Sequence, residues 1–379
     1  MLIDSWSLKD YAPAEGVALG AFAEQFGTDD WIDVPVPGDV HQALIDCGRI
    51  PDPFYDRKEL DCAWVEAREW WYRSQFTYAG ELAQAQDRLE LVFHGLDTFV
   101  TIWLNGEQLG QHGNMFREAA IDITEKIHTD RPNTLALCFE PPLVHLRDTP
   151  PLSWRAGRET ETKRNLMRKA QFGFGWDWGP RLPTVGIWRP VELRQQRQAA
   201  IQGVRFATLE IEPEGGQALV SVKVEVELFA GDQPIEVEFT LTPPDEVDPI
   251  VEQTLPLEGS RDRLVAEVSV SIVRPSLWWA HDLGEPSMYT LVVRILQGGN
   301  ELDRAQQRVG IRTLELDQSA DPDEPGTHFF RLVLNGVPIF ARGANWIPTS
   351  SFVGGLTAER YEQQLSAAQN ANMNMLRVW

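Results

Sequence analysis

The chain has 379 residues, of which 43% are hydrophobic, and a net charge of −22. That charge argues against a nucleic-acid partner, which needs a basic footprint, and against docking on anionic membranes. Its three cysteines, Cys47, Cys62 and Cys138, form no C-x-x-C pair, and its seven histidines show no metal-ligand spacing, so neither a disulfide framework nor a metal site is expected.

At roughly 100–200 residues per domain, the length suggests two or three domains. The first stretch, 1–197, opens with Met1 to Pro13, which already contains Asp4, Lys9 and Asp10 and so lacks the apolar core of a signal peptide. No run approaches transmembrane length, and a cytoplasmic protein is expected. Pro35-Val36-Pro37, Pro51-Asp52-Pro53 and Pro141-Pro142 break any long helix. Phe99 to Asn105 is an apolar strand ending in Asn105-Gly106, a two-residue hairpin signal, because both central positions of a type I′ turn need φ > 0. Many short strands at this length suggest a jelly-roll sandwich.

The second stretch, 198–312, shows period-2 alternation. Val222, Val224, Val226 and Leu228 alternate with Lys223, Glu225 and Glu227, Ile235, Val237, Phe239 and Leu241 alternate with Glu236, Glu238 and Thr240, and Leu264 through Ile272 form a third set. One apolar face per strand, in roughly seven strands, predicts an immunoglobulin-like sandwich. The third stretch, 313–379, changes character. Phe330 to Leu334 and Val337 to Phe340 flank a second Asn-Gly turn at Asn335-Gly336. A helix is predicted over 357–371, with Thr357 as N-cap and Glu359 in the first turn, followed by a strand from Met373 to Trp379. Strand, helix, strand opens an α/β unit with two parallel strands.

The segment from Gln171 to Pro180 carries Trp176, Asp177 and Trp178 between glycines. In an extended loop the two Trp residues face one way and Asp177 the other. An exposed Asp beside Trp is a common sugar-binding pair, since the ring covers C–H faces and the carboxylate accepts from hydroxyls. The same residues could also pack, with Asp177 capping a turn.

Trp176-Asp177-Trp178-Gly179-Pro180-Arg181, followed by Gly186-Ile187-Trp188-Arg189-Pro190, resembles the β-mannosidase branch of glycoside hydrolase family two. The segments from Val36 to His41, Trp70 to Tyr72, Phe93 to Thr98 and Leu277 to Trp279 resemble it too, as do those from Val309 to Arg312, Leu334 to Phe340, Gly343 to Pro348 and Asn374 to Trp379. The resemblance covers nearly the whole chain in order. It departs at Ser350, where the family usually has Asp, and at Ala280, where Pro is usual.

The resemblance implies a mainly β, multidomain fold: a jelly-roll sugar-binding domain (1–197), an immunoglobulin-like β-sandwich (198–312), and the first βαβ of a (β/α)8 TIM barrel (313–379). Such a barrel takes about 250 residues, so the chain is expected to be the front portion of a longer protein. It also implies a retaining, exo-acting hydrolase of terminal β-D-mannose in β-mannosides and manno-oligosaccharides, with no cofactor and no metal. Both catalytic glutamates are expected on later barrel strands, so no catalytic residue is assigned in this stretch, and the stretch alone is expected to be inactive. Trp176 and Asp177 are implied to face the terminal mannose, Trp379 to stack on it, and Arg377 to hold a catalytic carboxylate in its charged form. Asn345 and Trp346 are expected to end the first barrel strand on that same face. A related exo-β-glucosaminidase or β-galactosidase, and a non-catalytic carbohydrate-binding module, are the alternatives.

Overall fold

The computed structural model describes residues 1–80, 87–150, 163–212, 216–231 and 234–379. The chain divides into two compact units. The first takes in Met1–Ala83, Arg88–Gln195 and Pro348–Tyr361, and the second takes in Gln196–Ile347 and Glu362–Trp379.

The first unit is a β-sandwich of unequal sheets. Six antiparallel strands run in the order Ile32–Pro35, Ser5–Tyr11, Glu69–Phe76, Asn133–Phe139, Val100–Leu104, Glu107–His112. Three more form the smaller sheet, Val191–Arg197, Asp87–Phe93, Ala119–Asp122. The non-consecutive neighbours in the large sheet are the crossovers of the expected jelly-roll. Alternation along Glu69–Phe76 sends Trp70 and Tyr72 into the main core with Leu8, Leu91 and Phe139, whereas Trp71 enters a second cluster with Trp31 and Trp103 on the opposite face. Both faces of this strand are therefore covered, which is why Trp70, Trp71 and Tyr72 follow one another without a polar residue between them. Asn105 and Gly106 turn at φ 53° and 80° between Val100–Leu104 and Glu107–His112, as the dipeptide predicts.

A segment distant in sequence completes this core. Phe352, within Pro348–Tyr361, is buried among the core residues, stacks on His41 with ring centroids 5.6 Å apart, and meets Phe54 edge-on at 5.3 Å. Its backbone N–H donates to Ser350 Oγ at 3.0 Å. The hydroxyl thereby makes the short turn that an Asp carboxylate would make at the same position. Gly354 lies so close to Gly38 that a Cβ there would be 2.6 Å from the Gly38 carbonyl oxygen.

The second unit contains the immunoglobulin-like sandwich. One four-stranded sheet runs Ala199–Ile211, Gln217–Leu228, Arg263–Val273, Glu258–Ser260, and the other runs Val251–Pro256, Glu236–Thr242, Tyr289–Gln297, Asn300–Val309. Eight strands are thus present among the described residues, against the roughly seven expected; the addition is the short Glu258–Ser260. Val222, Val224, Val226, Val237, Phe239 and Leu241 all lie in its core, on the faces that alternation assigns them.

The rest of this unit begins with a three-stranded meander, Leu314–Asp317, Arg331–Leu334 and Val337–Ile339, turned at Asn335-Gly336. Then Gly343–Trp346 pairs in parallel with Met375–Val378 across the helix Ala358–Asn370. Arg360 N–H meets Thr357 Oγ1 at 3.4 Å, so Thr357 stands at the predicted cap. A Cβ on Gly343 would be 1.9 Å from the Met375 carbonyl oxygen, so only glycine lets the two strands approach this closely. Tyr361 and Leu365, which give the helix its apolar spacing, remain exposed. No helix among the described residues is long and apolar enough to cross a membrane.

Candidate functional site

The site residues fall in two places, one in each unit. In the first unit, Phe174–Trp176 and Gly179–Arg181 form a small antiparallel hairpin in which Trp176 pairs with Gly179. Asp177 and Trp178 are consequently the two residues of its turn. This corrects the extended-loop picture, in which Trp176 and Trp178 share a side opposite Asp177, because the chain reverses between them. Trp176 is 44% exposed, Asp177 is exposed, and Trp178 is half-buried with its ring 5.5 Å from that of Phe172.

The hairpin stands on buried and half-buried supports. Phe174 packs with Leu146 and Met167 in a small apolar cluster. Arg181 Nη1 donates to Glu66 Oε2 at 2.6 Å. Gln171 Nε2 donates to the carbonyls of Arg164 and Lys169 at 3.0 and 3.1 Å. Beyond the hairpin, Val185 N–H donates to Asp39 Oδ2 at 3.2 Å, and Val40 N–H to the Val185 carbonyl at 2.9 Å. An exposed indole beside an exposed carboxylate, held on a fixed base, offers an apolar face and hydrogen-bond acceptors to a polyhydroxylated ring.

In the second unit, the parallel register sets Asn345 opposite Arg377 and Trp346 opposite Val378. Arg377 Nη1 lies 3.3 Å from Asn345 Oδ1, and Trp379 N–H donates to the Trp346 carbonyl at 3.0 Å. The parallel register puts Asn345 and Arg377 on one face, and Trp379 follows the strand end directly. Asn345 and Arg377 are exposed there, and Trp379 is 38% exposed.

Trp346 does not share that face. It follows Asn345 directly, so its side chain leaves the strand on the other side, where Nε1 donates to Gln364 Oε1 on the helix at 2.7 Å. The expectation that Asn345 and Trp346 act together on one face is corrected by this alternation.

Residues that no sequence motif marks as part of the site also hold the first-unit loop. Lys169 and Thr184, on either side of the hairpin in sequence, form a buried network with Asp97. Asp97 lies in a segment that carries the family resemblance, but nothing in the sequence separates Lys169 from its neighbour Arg168. Among the described residues, no three His, Cys, Asp or Glu side chains are grouped so as to hold a metal ion.

Two family models match the chain: one described as glycosyl hydrolase 2 galactose-binding domain-like, over residues 9–189, and one described as glycosyl hydrolases family 2, over residues 201–312. The chain is 32% identical over 384 residues to beta-mannosidase B of Emericella nidulans and 31% identical over 383 residues to beta-mannosidase B of Aspergillus terreus. Each match covers 100% of this chain and 42% of the relative, so the chain spans about two fifths of the length of the curated relatives it matches. Among solved structures, it is similar to a beta-D-mannosidase from Dictyoglomus thermophilum, with 32% identity and a TM-score of 0.85, over 100% of this chain and 44% of that one. It shares its fold with an exo-chitosanase from Amycolatopsis orientalis, at 21% identity and a TM-score of 0.76, over 100% of this chain and 40% of that one.

Proposed function

Because the chain belongs to glycosyl hydrolase family 2, we propose that it is the sugar-recognising front portion of a retaining, exo-acting β-mannosidase. Its substrates on this reading are terminal β-D-mannose residues at the non-reducing ends of β-mannosides and manno-oligosaccharides. The observation that carries the reading is the end-to-end likeness to beta-mannosidases at 32% identity, in sequence and in structure. The likeness to the exo-chitosanase, at 21%, speaks for the fold alone.

On this reading the chain comprises a jelly-roll domain (1–197), an immunoglobulin-like domain (198–312) and the opening βαβ of a (β/α)8 barrel (313–379). The parallel pairing of Gly343–Trp346 with Met375–Val378 across a helix supports the last of these. Trp176 lines the subsite for the terminal mannose, and Asp177 accepts hydrogen bonds from its hydroxyls. Trp379 stacks on the sugar ring. Arg377 donates to a catalytic carboxylate and favours its ionised form, and Asn345 steadies the Arg377 guanidinium. Trp346 packs behind the strand rather than touching sugar.

Retention requires two carboxyl groups about 5–5.5 Å apart, one attacking the anomeric carbon and one acting as acid and then base. On the proposed reading these groups belong to later barrel strands, and this stretch by itself does not hydrolyse. The test is hydrolysis of aryl β-D-mannoside, β-D-glucosaminide and β-D-galactoside by the protein that carries this chain. Preference for the mannoside is expected, whereas preference for the glucosaminide would transfer the protein to the other exo-acting branch.

A further inference from the structure

Lys169 and Thr184, fifteen residues apart, are the two feet of the loop that carries Trp176 and Asp177, and both rest on one carboxylate. Lys169 Nζ donates to Asp97 Oδ1 at 2.5 Å and to the Thr184 carbonyl at 2.6 Å, and lies 3.3 Å from Thr184 Oγ1. Thr184 Oγ1 donates to Asp97 Oδ2 at 2.6 Å, and Thr98 Oγ1 donates to Asp97 Oδ1. Asp97, Lys169 and Thr184 are 1%, 2% and 5% exposed.

Burying an ammonium and a carboxylate is a poor way to gain stability, because desolvation offsets most of their attraction and apolar side chains of similar volume do as well. What the pair supplies is direction. Each hydrogen bond fixes an angle and a distance, which apolar contact does not. We propose that Asp97, Lys169 and Thr184 are positioning residues: one buried staple that sets the place of the Trp176–Asp177 turn by fastening both ends of its loop to the strand Leu96–Asp97. The inference rests on the sugar-binding role proposed for Trp176 and Asp177. It adds that the affinity of that pair depends on three residues that touch no sugar.

The test is hydrogen exchange on the protein that carries this chain, comparing amides of 170–183 with those of the core strand Asn133–Phe139. Thr184→Val removes one hydroxyl and leaves the Lys169–Asp97 pair intact, so it is the decisive variant. Lys169→Met removes the cation and leaves Asp97 buried without it, a harsher change in the same direction. Loss of about one hydrogen bond in Thr184→Val is expected to speed exchange of 170–183 by roughly five- to tenfold while 133–139 stays as it was. Thr184→Ser is expected to restore the slow rate, and KM for an aryl β-mannoside is expected to follow loop exchange across the series. Faster loop exchange with unchanged hydrolysis would keep the staple and remove the sugar role of the loop. Unchanged exchange in 170–183, or acceleration shared equally by 133–139, would overturn the staple whatever hydrolysis does.

Discussion

Arg377 stands directly across from Asn345 in the neighbouring parallel strand, its Nη1 3.3 Å from the Asn345 amide oxygen. One hydrogen bond between facing residues ties two strands together and holds a guanidinium on an exposed face. Trp379, two residues on, continues the chain just past the strand, its N–H donating to the Trp346 carbonyl at 3.0 Å.

This arrangement separates two residues of the paired strands, Arg377 and Trp346, by their effects. In the protein that carries this chain, Arg377→Met is expected to lower kcat/KM on an aryl β-mannoside by roughly tenfold to a hundredfold, the worth of a charged hydrogen bond of about 1.5–3 kcal/mol. Trp346→Phe removes the bond to Gln364 and is expected to cost ~1 kcal/mol of stability while changing kcat by less than about threefold. Steady-state kinetics beside urea unfolding measures both.

Phe352 couples a segment late in the chain to the first core. Phe352→Ala removes a ring packed against His41 and Phe54 and is expected to destabilise the first unit by ~3–5 kcal/mol. Val247→Ala, at a position 92% exposed, is expected to stay within ~0.5 kcal/mol. Urea midpoints of the two variants make the comparison.

Asp317 gives stability a dependence on acid pH. Hydrogen bonds from Ser319, by side chain and backbone, and then from Arg331 bring its carboxyl down from the ordinary 3.8 to about 2. The folded value lies below the unfolded one, so this contribution is present above about pH 4 and is lost as pH falls through about 2. Melting temperature is expected to fall across that window, and Asp317→Asn is expected to flatten the fall. Melting curves from pH 5 to pH 2 on both proteins decide it.

Local chemistry made much of the fold legible. Asn105-Gly106 and Asn335-Gly336 announce their turns because few other residues accept positive φ at both positions, and both turns form. Strands such as Gln217–Leu228 and Glu236–Thr242 show themselves by alternation because one face of each is buried in the sandwich core. Glu69–Phe76 shows no period because both of its faces are covered, and only the folded molecule reveals which cluster takes Trp71. The packing of Phe352 beside His41 joins positions 311 residues apart in sequence, a pairing that no local pattern encodes. At the candidate site, sequence drew attention to the Trp176–Asp177 turn but not to its foundations. Lys169 looks like any surface lysine until Asp97 and Thr184 are seen around it. The opposite facing of Trp346 follows from strand alternation alone and was there to be read.

The most direct test of the proposed function is the kinetics of Asp177→Ala, made in the protein that carries this chain, on an aryl β-D-mannoside. Asp177 is exposed and lies in a two-residue turn, so its removal is expected to leave the melting temperature unchanged. If its carboxylate accepts hydrogen bonds from the terminal mannose, kcat/KM falls by roughly tenfold to a thousandfold. Undiminished kcat/KM on the mannoside would contradict the account, because the loop would then have no part in binding the sugar.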